Sequence, residues 1–312
     1  MERKVEIDIF KAILIILVVI GHSLSHETQV NKYIYLFHMP AFFLLSGYLT
    51  DFGKEDFIQF VRKKFFSYVV PYIAYSIMFY IFFIPEPFIK NLLRTCFGGV
   101  YNITLYSFPY WYINCLFLSI VFLKLIKMYI SKYLQIVILF LLWISIHVIS
   151  GYEINLVLPW GILNCLGALC YISLGDYAKK INLPVKGALF LVFIVVVVEF
   201  VFNWNYHLNM MQNTYSNLVL DVFIPLIFSL GLYQLCCYVL LCGKCVVVPL
   251  QYLGKACMSI YFTHAAFIYL FTNIFNIHIF FSIIFSVIGG FLWHLFVIEN
   301  RVTRFIFLGI LK

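Results

Sequence analysis

The chain has 312 residues, 64% of them apolar and only 11% charged, with a mean hydropathy of +1.00. That balance excludes a soluble globular domain and defines a polytopic membrane protein. The formal charge of +8 does not point to nucleic acid, because the basic residues form no patch interleaved with aromatics.

Arg3 and Lys4 precede an apolar run, as in a signal peptide, but Glu6, Asp8 and Lys11 interrupt the run and no small-x-small cleavage site follows it. The run is read as a first helix. Apolar segments of spanning length then recur at residues 6–24, 33–50, 67–84, 110–126, 133–150, 157–175, 187–203, 218–240, 256–273 and 279–298. The expected fold is therefore all-α, a polytopic membrane protein of about ten transmembrane helices forming one domain over residues 1–312.

Lysines and arginines test this count, since they concentrate in cytoplasmic loops. With the N-terminus inside, the outer loops hold only Lys32, Lys90 and Arg94, and Lys11 lies within the first segment. All the other basic residues, from Arg3 and Lys4 to Arg301, Arg304 and Lys312, fall in inner segments. The alternation predicts an even number of spans with both termini cytoplasmic.

Two outer loops are long. Residues 85–109 are rich in proline, glycine and aromatics, and are expected to form a re-entrant or interfacial cap. Residues 203–217, NWNYHLNMMQNTYSN, are neutral and amide-rich; they suit either contacts to sugar or an ordinary interfacial loop. The cysteines lie mostly inside apolar segments and read as buried small side chains. The pair Cys242 and Cys245 lacks the remaining ligands of a zinc site, and no metal is expected.

Ionisable groups within apolar segments mark functional sites, because a lysine at mid-bilayer costs roughly 2.5–3.5 kcal/mol on insertion scales. Lys11 and His22 are eleven residues apart, which returns to within about 20° of the same helical face and separates them by roughly 16 Å along the axis. Lys11 is either a donor-side contact or a snorkelling residue paired with Asp8. His38, in a second helix running the other way, is expected at the depth of His22. His264 is expected between the levels of Lys11 and His22, facing the same cavity or making an interhelical hydrogen bond. Glu199 and Asp221 lie near outer ends, to bind acceptor hydroxyls or face water, and His147 and His294 are weaker candidates.

The string E-I-D-I-F-K-A-I-L-I-I-L-V-V-I-G-H, followed by F-H-M-P-A-F-F-L-L-S-G-Y-L, resembles the opening of the acyltransferase 3 family of integral-membrane acyltransferases. The F-H-M-P form is most similar to its fucose 4-O-acetylase-like branch. Further likenesses follow in order: Arg62-Lys63-Lys64 before Pro71-Tyr72, Trp111-Tyr112, Leu253-Gly254 through Ile260-Tyr261 to His264, and Glu299. The family often has arginine at Lys11 and serine at Cys257.

The resemblance implies O-acyl transfer, with acetyl-CoA as donor and a cell-surface polysaccharide or lipid-linked sugar precursor as acceptor. It maps the essential histidine onto His22 and a basic donor-side position onto Lys11. Histidine suits a general base for a hydroxyl, so the catalytic candidates are His22, His38 and His264. The inner cluster Arg62, Lys63 and Lys64 is placed to meet the phosphates of CoA; lipid is the remaining partner, and no nucleic acid is expected. A polysaccharide transporter or flippase, or a non-catalytic sensor on the same scaffold, are the rival classes; no repeat of a two-halved transporter is present.

Overall fold

The computed structural model describes residues 4–24, 28–83, 87–99, 108–152, 158–181, 185–202 and 206–310. Fourteen α-helices are described in chain order: α1 (Val5–Ser23), α2 (Gln29–Leu49), α3 (Phe57–Lys64), α4 (Val70–Phe83), α5 (Phe88–Phe97), α6 (Trp111–Tyr129), α7 (Lys132–Gly151), α8 (Ile162–Ala178), α9 (Ala188–Phe202), α10 (Leu220–Val239), α11 (Lys244–Lys255), α12 (Cys257–Tyr269), α13 (Ile279–Glu299) and α14 (Arg301–Leu308). Among the described residues there is no strand, only an isolated bridge between Asn209 and Thr214.

Each of the ten expected segments contains a helix, but only 6 helical stretches among the described residues are long and apolar enough to cross a membrane. They are Phe57–Phe82, Trp111–Tyr129, Lys132–Gly151, Leu220–Val239, Cys257–Ile274 and Ile279–Glu299. α1 falls outside this set although it has 19 residues, because Glu6, Asp8 and Lys11 break its apolar run. α8 and α9 are simply shorter, at 17 and 15 residues.

The excluded α1 is the centre of the bundle. It packs against α2, α10, α11, α12 and α13, and Ile9, Ala12, Leu14, Ile15 and Val19 are fully buried. A helix enclosed by protein can carry polar groups that a lipid-facing helix cannot, since neighbouring helices satisfy them. α7 and α13 lie outside, only 17% and 22% of their apolar windows being buried. Their outward residues, such as Phe140, Leu141, Leu292 and Phe296, are exposed and apolar, as a lipid face requires.

Two glycine contacts set the helix spacing around the site. A Cβ on Gly47 of α2 would lie 2.0 Å from the carbonyl oxygen of Ile172, and one on Gly175 of α8 would lie 1.9 Å from that of Leu44. The crossing is reciprocal, each glycine receiving the other helix's backbone, which is how small residues drive association where lipid offers no hydrophobic gain. Gly254 of α11 likewise sits on α1, where a Cβ would be 1.8 Å from the carbonyl oxygen of Asp8.

Three boundaries differ from expectation. The third segment begins at Phe57 instead of 67, so Arg62, Lys63 and Lys64 are in a helix that runs through a π-turn (Phe65–Val69) into α4. Asp56 caps it, its carboxylate accepting from the Gln59 amide at 2.8 Å; the charged run hides this start from a hydropathy reading. The segment expected from 256 is preceded by α11, and the chain closes with α14. The expected cap over 85–109 contains α5, pinned at its end by Tyr72 Oη donating to the Thr95 carbonyl at 2.8 Å and Trp160 Nε1 to that of Cys96 at 2.7 Å; residues 100–107 of that loop lie outside the described residues.

Candidate active site

His22 lies in the last turn of α1 and is partly exposed. α2 returns alongside, bringing Tyr35 with its hydroxyl 3.4 Å from His22 Nδ1. α12 brings His264, whose ring stacks on that of His22 with centroids 5.3 Å apart and planes at 22°. His38 is reached through Tyr35, whose ring centroid is 5.0 Å from that of His38. The three candidate histidines therefore converge, joined by a tyrosine.

The expected depth of His264 needs correction. Counted from a membrane surface at Ala256 it should lie below His22, but the helical path begins at Lys244 and already passes Asp8 at Gly254. Eight residues beyond Ala256 then bring His264 alongside His22. α12 is held there by Tyr110 Oη donating to the Phe262 carbonyl at 2.7 Å, by Tyr261 Oη donating to the Pro109 carbonyl, and by Tyr75 stacked on Phe262 at 4.4 Å.

The ring orientations of the two deeply buried histidines follow from their partners. His38 Nδ1 is 2.7 Å from the Ile34 carbonyl, and His264 Nδ1 is 2.7 Å from that of Tyr261. A carbonyl only accepts, so Nδ1 is the donor in both rings, and a neutral ring then offers a lone pair at Nε2. The Nε2 of His264 has no hydrogen-bond partner and the side chain is fully buried.

A cavity of about 160 Å³ opens beside His22 and His38. His22, His38 and Tyr35 line it together with Trp111, Tyr261 and the segment Leu208–Gln212. The amide-rich loop thus contributes directly to the wall, and its residues 203–205 lie outside the described residues. The loop is fastened from below: Asn164 Nδ2 donates to the carbonyls of Met210 and Met211 at 2.7 and 3.0 Å, and Trp143 Nε1 to that of Leu218 at 2.9 Å.

Asp221 was expected to contact acceptor hydroxyls or water, and does neither. It is fully buried, accepting from Tyr206 Oη at 2.7 Å and facing His147 Nε2 at 2.9 Å. Its role is to anchor the loop. Asp221→Asn keeps one acceptor but puts an amide nitrogen where Oδ2 accepts from the Asn217 backbone amide at 3.1 Å, and the loss of that acceptor should destabilise by roughly 1–3 kcal/mol. A lower thermal unfolding midpoint, with faster proteolysis between 206 and 217, is the expected reading. Glu199 pairs with Lys32, and His294 Nδ1 meets Ser259 Oγ at 3.0 Å.

The basic candidates stand apart from the histidines. Lys11 lies 3.7 Å from Asp8, the snorkelling pair foreseen as its alternative, with a quarter of its side chain exposed. Lys63 pairs with Glu55 at 2.6 Å, and Lys64 donates to Thr50 Oγ1 at 3.1 Å. Thr50 follows α2 twelve residues beyond His38, roughly 18 Å along the axis. The same end holds Lys124, buried and donating to the carbonyls of Phe52 and Glu55 at 2.7 and 2.8 Å, and Lys127 and Lys179 on Asp176. Arg62 makes no ion pair among the described residues and lies over the Phe66 ring.

Sequence reasoning missed Tyr35, and included Tyr261 only as part of the family-like run before His264. Each stands three residues before a site histidine, Tyr35 before His38 and Tyr261 before His264, and that spacing keeps tyrosine and histidine on one helical face. Among the described residues, no cluster of His, Cys, Asp and Glu has a geometry that would hold a metal ion.

A helical bundle with six apolar helical stretches of spanning length among the described residues has the architecture of an integral-membrane protein, and comparison with known proteins gives its family. The family model described as the acyltransferase domain, acyltransferase 3, matches residues 4–298, and the chain belongs to that family. Nodulation protein NolL of Mesorhizobium japonicum is 34% identical over 82 residues, covering 22% of this chain and 22% of that protein. The Sinorhizobium fredii protein of the same name is 43% identical over 60 residues, 16% of each. The chain thus aligns with less than a quarter of either relative's length. No solved structure matches.

Proposed function

We propose that the protein is a membrane O-acyltransferase that moves an acetyl group from acetyl-CoA to a hydroxyl of a surface polysaccharide or of its lipid-linked sugar precursor, in a bacterial cytoplasmic membrane. The observation that carries this reading is the position of His22, on the wall of a cavity and stacked on His264, in a chain of the acyltransferase 3 family.

In the proposed reaction His22 takes the proton from the acceptor hydroxyl as its oxygen attacks the thioester carbon. The carbon–oxygen bond forms, the tetrahedral intermediate collapses, the carbon–sulfur bond breaks, and the proton passes on to the departing CoA thiolate. Two charged rings stacked at 5.3 Å would repel strongly in a low dielectric, so only one of the pair carries the extra proton at a time. His22, the ring on the cavity wall, is the proposed base, with His264 stacked on it. Tyr35 positions it: Tyr35→Phe keeps the ring and removes one hydrogen bond, and kcat is expected to fall several-fold, in line with about 1 kcal/mol.

The donor enters from the opposite end. Lys11, Arg62, Lys63 and Lys64 are its proposed contacts, and Arg62 has the most to offer because its fork of donors is not committed to a carboxylate. An apolar cavity of about 430 Å³ between α1, α2, α8 and α10, with Lys4 and Tyr48 on its rim, suits the uncharged pantetheine arm. Arg62→Ala should raise KM for acetyl-CoA roughly tenfold, the loss of one charge-assisted contact, with little change in kcat.

Purified protein in nanodiscs, given radiolabelled acetyl-CoA and polysaccharide from a strain lacking the gene, tests the reading. Base-labile label on the polysaccharide is expected; label remaining on acetyl-CoA, or released only as free acetate, contradicts it.

A further inference from the structure

The catalytic chamber does not end at the loop. A second cavity of about 310 Å³ shares Tyr35, Leu208, Asn209 and Gln212 with it, and extends from them to the start of α2 and the far side of the loop. The two are neighbours across these four residues, the narrow part at the histidines and the wide part beyond them. Nothing in the proposed transfer accounts for the wide part.

Its chemistry is specific. Gln29, His207, Gln212 and Thr214 line it, and Gln29, His207 and Gln212 are exposed. Each of these amides carries both donors and an acceptor, the complement of a sugar hydroxyl, which is donor and acceptor at once. The wall is shaped by its own bonds: Asn209 Oδ1 accepts from the amides of Met211 and Gln212 at 3.1 and 3.3 Å, and Asn209 Nδ2 donates to Gln212 Oε1 at 3.1 Å. That leaves the Gln212 amide nitrogen for a ligand.

Charge narrows the class. Among the described residues, the only charged one lining the cavity is Lys32, and the Glu199 carboxylate pairs with it. A sugar carboxylate or phosphate here would meet a cation already neutralised and a carboxylate beside it, and like charges set together are strongly disfavoured. A neutral sugar suffers neither.

We infer that this outer cavity is the acceptor subsite and that it selects a neutral glycan, holding the residues next to the acetylated one through Gln29, Gln212 and Thr214 while a hydroxyl reaches His22 past Tyr35. The inference rests on the proposed acyl transfer for its purpose, but its test does not.

Fluorescently labelled full-length protein in nanodiscs, without acetyl-CoA, is applied to an array of neutral and uronic-acid-containing bacterial oligosaccharides. Retention on a subset of neutral glycans is expected, with none on their uronic-acid counterparts. It should weaken at least tenfold in Gln29→Ala/Gln212→Ala. Glu199→Gln, which removes the carboxylate beside Lys32, should relax the discrimination against uronic-acid glycans. Retention on acidic glycans, on none, or equally by the Gln29→Ala/Gln212→Ala variant overturns the subsite. Glycan binding without acetyl transfer would instead leave the subsite standing and remove the catalytic reading.

Discussion

His22→Gln is expected to lower acetyl transfer by about 10²- to 10⁴-fold, the range contributed by a positioned general base, without lowering the yield of folded protein. Glutamine retains a polar side chain of similar reach beside Tyr35, so the stack with His264 is lost but no large cavity opens. Rates of CoA release measured with saturating acceptor and donor would read this directly. The companion variant His264→Gln should fall less, because His264 is wholly buried behind His22 and acts on the ring instead of the substrate. If the two variants lose activity equally while His38→Gln does not, the stacked pair works as one unit.

The second large effect is structural. Gly47→Leu and Gly175→Leu should each abolish stable protein, since even a Cβ at these positions would lie 2.0 and 1.9 Å from a backbone oxygen of the facing helix. A backbone cannot yield as a flexible side chain does, and overpacking of well-fitted interiors costs about 1–3 kcal/mol or more. α2 would have to separate from α8, carrying Tyr35 and His38 away from α1. Size-exclusion profiles of fluorescently tagged variants in detergent should show loss of the monodisperse peak for both. A leucine at the exposed Gly151, where an added Cβ meets nothing within 4 Å, should leave it unchanged.

The histidines were legible in the sequence for an energetic reason. A histidine within an apolar run has to be paid for by burial against protein, so His22, His38 and His264 each announced a packed, polar site before any packing was known. Tyr35 gave no such signal: tyrosine is at home in membrane helices, the chain has 23 of them, and only its place three residues before His38 marked it. The common stripe of Lys11 and His22 was correct as helical geometry, yet the partner of Lys11 is Asp8, one turn away, because short-range pairing needs no tertiary fold.

What hydropathy concealed were helices that begin in charged sequence. Asp56 and Gln59 have the spacing of a capping box, and that local chemistry marks the start of α3 better than its apolar content does. α1 shows a complementary limit: its three charges keep it out of the six apolar stretches, and its enclosure by α2, α10, α11, α12 and α13 does not show in its own composition. Enclosure is a tertiary property, invisible in any single window. The anchoring of residues 206–217 by Asp221 and His147 joins segments more than seventy residues apart, and no spacing rule reports it.

The central claim is that His22 catalyses acetylation of a surface glycan. Mass spectrometry of surface glycans from cells carrying the wild-type protein, His22→Ala, or no copy of the gene addresses it most directly. The account predicts acetylated glycan only with the wild type, and His22→Ala indistinguishable from the deletion while present in the membrane at normal level. Undiminished acetylation with His22→Ala would contradict it, as would acetylated glycan that accumulates inside cells lacking the protein.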